Sequence, residues 1–209
     1  MTNQNIRRAL LSIVPFLIVL LFYLFFRESV QQFDLQITHF VVNQRNTVTD
    51  IYFHFVTILA NAEFLAIVVI AAILMIGFLF KQWKLALAYG LAVILGNLVL
   101  NPVLKEIFQR SRPDEALRMV AEASYSFPSG HSFATGMIYP LFADFLLRST
   151  NLSKHSTLIQ FILILVMVSI GLSRIYLGVH YFTDVIAGFS LGFSFYCLTR
   201  FVLEKYTEA

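Results

Sequence analysis

Long apolar runs alternate with short polar breaks along this chain of 209 residues. Uncharged stretches extend from Ala9 to Phe26, Phe64 to Phe80, Leu85 to Leu104 and Thr157 to Ser173. A helix needs about 20 apolar residues to cross a bilayer, within a range of about 17 to 25. Two weaker stretches join them. Phe133 to Leu147 is interrupted by Asp144, and Val185 to Leu203 carries Arg200 near its end, where a long side chain can snorkel. The pattern predicts an all-α membrane protein of six transmembrane helices, forming a single integral-membrane domain over residues 1–209. Between the first two spans, Val30, Phe33, Ile37, Phe40 and Val41 recur at helical spacing with Gln31, Gln32, Asp34 and Gln36 between them. This fits a short amphipathic helix lying on the membrane surface, and equally a packed connector.

Composition agrees with the pattern. The chain is 58% hydrophobic and 13% charged, against about one quarter charged in soluble domains. The net charge of +3 does not point to nucleic acid, because Lys and Arg in a membrane protein mark cytoplasmic loops. Arg7 and Arg8 precede a run too long for a signal-peptide core, so the first stretch is expected to be retained as a span. An internal N-terminus puts Arg7, Arg8, Lys81, Lys84, Arg148, Lys154, Arg200 and Lys205 inside. Arg27, Arg45, Lys105, Arg110, Arg112, Arg118 and Arg174 then lie outside. Setting aside Lys105, Arg112 and Arg174 as candidate site residues leaves eight against four, which predicts both termini cytoplasmic. Cys197 is the single cysteine and has no internal disulfide partner.

Three polar clusters remain where spans end. The first is KEIFQRSRP, residues 105–113. Lys105 and Arg112 are seven apart, about two helical turns, with Pro113 expected to end the helix just before it. Alone, this also reads as a basic patch against lipid headgroups. The second is Ser126 to Ser132, with Pro128, Ser129, Gly130 and His131 opening an apolar helix. Free N–H groups at a helix start, a close backbone approach at Gly130 and the Ser129 hydroxyl together make a phosphate cradle. A plain turn with a capping serine has the same residues. The third is SRIYLGVHYFTD, residues 173–184, with Arg174, His180 and Asp184. His180 and Asp184 are four apart, on one face of a helix, and a carboxylate on one imidazole nitrogen frees the other to act. A buried polar pair orienting helices is the structural alternative.

All three clusters fall at the same ends of the expected spans. Together they supply three cations for a tetrahedral dianion, two histidines, one carboxylate and a helix-start cradle. So many cations beside hydrocarbon are costly unless an anion binds there. His180, oriented by Asp184, is the expected nucleophile on phosphorus, and His131 the acid that protonates the leaving oxygen. Two histidines and an aspartate are also possible metal ligands, but three neighbouring cations repel a divalent ion, so no metal or cofactor is expected. Glu63 is an additional candidate for a headgroup or cation contact. Asn97 and Asn101 are expected to hydrogen-bond between helices, and Tyr125 and Phe127 to pack on a lipid.

The order K-x6-RP, PSGH and SR-x5-H-x3-D resembles the type-2 phosphatidic acid phosphatase superfamily, with all three motifs complete over residues 105–184. The resemblance implies a metal-independent lipid phosphatase with a phosphohistidine intermediate. It assigns the site to Lys105, Arg112, Ser129, Gly130, His131, Arg174, His180 and Asp184. It also implies bacterial-type substrates such as phosphatidylglycerophosphate, undecaprenyl pyrophosphate and phosphatidic acid, and a site on the extracytoplasmic side of the cell membrane. A phosphotransferase of the same fold, passing the group to another lipid or sugar, shares the first half-reaction. A transporter would need broken helices or paired repeats, which the sequence does not display.

Overall fold

The computed structural model describes residues 2–149 and 154–207, and these are helical or irregular throughout, without strands. The side chains of Arg148 and Lys205, counted above among the inner cations, lie outside those described. The first apolar run forms α1 (Thr2–Ser12) and α2 (Val14–Phe25). Pro15 has no N–H to give the α1 ladder. Beside it, the Ser190 hydroxyl accepts from Phe16 N at 3.0 Å and donates to the Ser12 carbonyl. A hydroxyl inserted into the ladder is a standard cause of a helix break.

α3 (Arg27–Val42) occupies the expected connector. Its buried stripe is Val30, Asp34 and Thr38, whereas Phe33 and Phe40 are exposed. Asp34, assigned to the polar face by its sequence neighbours, is thus turned into the protein. α4 (Thr47–Ile58) was absent from the sequence reading. Asn46 caps it, accepting from Val48 N and Thr49 N, while Thr49 answers with its own hydroxyl. α4 runs into α5 (Ala62–Phe80) through a 43° bend, and together they make one broken apolar segment.

The third run is longer than expected. α6 (Trp83–Ile94) passes through a π-helical segment, Leu95–Leu100, into α7 (Asn101–Phe108). Pro102 lacks the N–H that would bond one turn back, and the wider turn lies just before it. α8 (Gly130–Ser149), α9 (Ser156–Tyr176) and α10 (Phe182–Thr207) complete the bundle. Among the described residues, four helical segments are long and apolar enough to cross a membrane, or five if the bent α4–α5 pair is one span; α8, with Pro140 and Asp144 inside it, is not among them. Leu98 (71% exposed) and Phe78 (68%) typify an outer surface of large apolar side chains. Such a surface suits hydrocarbon rather than water.

The core lies between α8 and α10, where Phe133, Met137, Ala187, Leu191 and Cys197 are buried with Phe16 of α2 and Phe127. The two backbones touch. A Cβ built on Gly192 would stand 2.2 Å from the Phe133 carbonyl oxygen. Small residues permit such approach in membrane helices. Gly192→Ala is expected to cost about 2 kcal/mol, within the range of overpacked cores. That is roughly 5 °C in the unfolding midpoint, measurable in detergent. An unchanged midpoint would mean the two backbones are not in contact.

Candidate active site

The polar clusters meet at one end of this α8–α10 core. α7 ends at Phe108, where Gln109 takes a left-handed conformation (φ 45°). The helix therefore stops well before Pro113, and Lys105 and Arg112 do not share a helical face. They meet because the chain turns back. Lys105 Nζ donates to the Tyr125 carbonyl, and Arg112 Nη2 donates to the same oxygen at 3.3 Å. Arg112 also donates through Nε to Ser124 O (2.6 Å) and through Nη1 to Val179 O (2.7 Å).

His180 precedes α10 rather than lying on it. Gly178, at φ 72°, makes the turn that delivers it, a backbone state L side chains avoid. Asp184 sits in the first turn of α10 and folds back over that turn. Its Oδ2 accepts from Tyr181 N at 2.9 Å and from the Ser126 hydroxyl, and stands 3.5 Å from His180 Nδ1. The other imidazole nitrogen, Nε2, is 3.1 Å from Arg112 Nη1. His180 is 2% exposed, and burial pushes its imidazole down to about 3, with Asp184 opposing and Arg112 adding to the fall. The ring is consequently neutral across the physiological range. Nδ1 then carries the proton toward Asp184, and Nε2 holds a lone pair facing the cations.

Arg174 reaches the site from the last turn of α9. Its Nη1 donates to Thr57 Oγ1 at 2.8 Å, and its Nη2 pairs with Glu122, whose other oxygen is 3.3 Å from Arg112 Nη2. One carboxylate thus bridges two of the three cations. A phosphate offers them the same kind of oxygen pair. Ser129 is fully buried, takes Ser132 N and the Ser132 hydroxyl on its own oxygen, and gives its N–H to the Asp184 carbonyl at 3.1 Å. Gly130 begins α8, and a Cβ there would have only Asn101 Oδ1, at 3.5 Å, within contact range. The space beside the Gly130 backbone is otherwise open. His131 is half-buried, its Nε2 3.2 Å from Asn61 Oδ1, and it lies within electrostatic reach of Arg174, His180, Arg112 and Lys105.

All eight sequence-predicted residues thus lie in one cluster. Several other expectations take different places. Glu63 is exposed in the first turn of α5 and forms no ion pair among the described residues; Glu122 is the carboxylate on the cations. Phe127 is 0% exposed, stacked near Phe16 and Tyr23 and edge-on to Phe108, so it is core rather than a lipid contact. Asn97 bonds Val93 O within its own helix, and the buried Nδ2 of Asn101 has no hydrogen-bond partner among the described residues. Sequence reasoning missed Arg110, Asp34, Glu122, Asn61 and Thr57. Only Arg110 carried a usable signal, as a second arginine inside the quoted KEIFQRSRP.

The sequence pattern of the PAP2 superfamily matches residues 82–207. Phosphatidylglycerophosphatase B of Bacillus subtilis is 47% identical over 108 residues, covering 51% of this chain and 53% of that protein. Lipid A 1-phosphatase of Rhizobium johnstonii is 31% identical over 122 residues, covering 54% and 46%. The chain spans about half the length of these curated relatives. The crystal structure of a transmembrane PAP2 type phosphatidylglycerolphosphate phosphatase from Bacillus subtilis superposes with a TM-score of 0.87 at 35% identity, over 95% of this chain and 96% of that one. Aquifex aeolicus LpxE superposes with a TM-score of 0.62 at 26% identity, over 80% and 94%.

Proposed function

The chain belongs to the PAP2 superfamily, and on that footing we propose that it hydrolyses a lipid phosphate monoester or pyrophosphate through a phosphohistidine, without a metal. The observation that carries this is the placement of His180. A buried, neutral imidazole has one nitrogen toward Asp184 and the other toward a group of cations. The names of the relatives, a phosphatidylglycerophosphatase and a lipid A phosphatase, support a lipid headgroup as substrate. The proposed panel is phosphatidylglycerophosphate, undecaprenyl pyrophosphate and phosphatidic acid.

In the proposed sequence the substrate phosphate displaces Glu122 and takes Lys105, Arg112, Arg174 and the α8 start as its ligands. His180 Nε2 attacks phosphorus and the bond to the leaving oxygen breaks. That oxygen takes a proton from His131. Water then attacks phosphorus, His131 takes the water's proton, the bond from phosphorus to His180 Nε2 breaks with its electron pair returning to the imidazole, and inorganic phosphate leaves. The cations and N–H groups stabilise the equatorial oxygens, where phosphoryl transfer places most of its demand. Phosphate in the cradle also suits the helix N-terminus, whose unpaired N–H groups attract anions.

The remaining proposals concern the membrane. Residues 1–209 form one domain with six spans, α8 being the fourth along the chain, and both termini cytoplasmic. α3 lies at the interface with Phe33 and Phe40 toward lipid, and the site opens on the extracytoplasmic side. The exposed aromatic residues of α3 and the count of basic residues support this arrangement. Hydrolysis in ¹⁸O-labelled water separates the reading from phosphotransfer. The expected result is labelled inorganic phosphate with no added acceptor. A phosphorylated lipid or sugar with no phosphate release would establish the transferase.

A further inference from the structure

Asp184 has two carboxylate oxygens, and the dyad with His180 uses only one of them. Oδ2 takes Tyr181 N, Ser126 and His180. Oδ1 takes Arg110 Nη1 at 2.6 Å. Arg110 lies in the loop after α7 and is 2% exposed. Its Nη1 also donates to Thr183 Oγ1 at 2.8 Å, and its Nη2 donates to Asp34 Oδ2 of α3 at 2.7 Å. Asp34 in turn accepts from Thr183 N at 3.0 Å. The guanidinium centre is 4.4 Å from the Tyr181 ring centroid and 5.1 Å from that of Tyr23. Asp34 and Asp184 are both 0% exposed.

One guanidinium thus forks between two fully buried carboxylates carried by different helices. From this we infer that Arg110, anchored by Asp34, is a positioning residue that holds Asp184 in the orientation that seats His180. The inference rests on the His180–Asp184 reading given under Proposed function. The charge balance fits it. The pairing with Arg110 keeps the Asp184 carboxylate as a negative partner on the Nδ1 side of His180. That charge is best matched when the ring becomes a positively charged N-phosphoryl imidazole. A lysine cannot replace the fork, because it presents one compact charge rather than two divergent N–H edges. Misplacing a reacting group by about 1 Å can cost on the order of 100-fold in rate.

The test compares purified Arg110→Lys, Asp34→Asn, Asp184→Asn and the Arg110→Lys/Asp184→Asn pair, with phosphatidic acid in detergent micelles and His180→Ala as the blank. Arg110→Lys is expected to lower kcat about 100-fold with KM within about 3-fold, since the phosphate ligands are untouched. Asp34→Asn keeps its shape and its bond to Thr183, and is expected to lower kcat about 10-fold on the same pattern. If Arg110 acts through Asp184, the double variant is no slower than Asp184→Asn alone. Wild-type kcat in folded Arg110→Lys would overturn the inference, as would losses that multiply in the double variant. Should Arg110→Lys fail to fold, wild-type kcat in Asp34→Asn would overturn it as well. Turnover retained by His180→Ala would instead overturn the reading beneath it.

Discussion

His180→Ala is expected to lower turnover at least about 10⁴-fold on any lipid phosphate while leaving substrate binding nearly intact. The two effects separate because different atoms carry them. In the proposed reading Lys105, Arg112 and Arg174 hold the anion, and each keeps a partner other than the imidazole. The nucleophile alone is lost. Asp184 would remain paired with Arg110 and Ser126, so the buried carboxylate is not orphaned and the fold should survive. A variant that binds phosphate normally but releases nothing is the expected phenotype. Near-normal turnover in this variant would remove His180 from the chemistry.

His131→Ala should give a smaller loss that depends on the leaving group. An alkoxide leaving a lipid phosphate needs a proton, and loss of a positioned acid costs about 10²–10⁴-fold. p-Nitrophenyl phosphate leaves as a stable anion without one. With that substrate the first step should persist in His131→Ala, while the second step still lacks its base. Nitrophenolate should therefore appear as a burst of about one equivalent per site, followed by slow turnover. Unchanged turnover on both substrates would remove the acid–base role. Equal, burst-free loss on both would mean His131 binds phosphate rather than moving protons. Its present contact with Asn61 leaves the ring free to do either, so the comparison decides.

The helices with uniform apolar runs were legible because lipid imposes a simple rule on them: length and lack of charge. α2, α5, α6 and α9 follow it. The breaks were not legible. The Ser190 hydroxyl enters the α1–α2 junction from a residue 174 positions away from its Phe16 partner. α4 was hidden because Asp50 and His54 interrupt its apolar pattern, although its Asn46 cap was a local signal. Asp34 illustrates the same limit within the site. Its sequence neighbours make it part of a polar face, and its reason to be buried lies far along the chain, in Arg110, 76 residues on, and Thr183.

The candidate site was legible in its residues but not in its geometry. Spacing put Lys105 and Arg112 together for a reason the structure does not use, since the helix between them ends at Phe108. It put His180 on α10, whereas His180 lies in the preceding turn and Asp184 reaches back to it. The supporting contacts escaped because they join distant segments, as Glu122 does in bridging Arg112 and Arg174. Carboxylates in a cationic site are easily read as competitors for the ligand. Here Glu122 bridges two cations, while Asp184 lies on the Nδ1 side of the imidazole and Asp34 beyond Arg110.

The most direct test of the central claim is phosphate release by the detergent-purified protein in excess EDTA. The substrates are phosphatidylglycerophosphate, undecaprenyl pyrophosphate and phosphatidic acid, with His180→Ala alongside. The account predicts release from at least one of the three in EDTA, and none above background from the variant. Release that appears only when a divalent metal is restored, or that persists in His180→Ala, would contradict it.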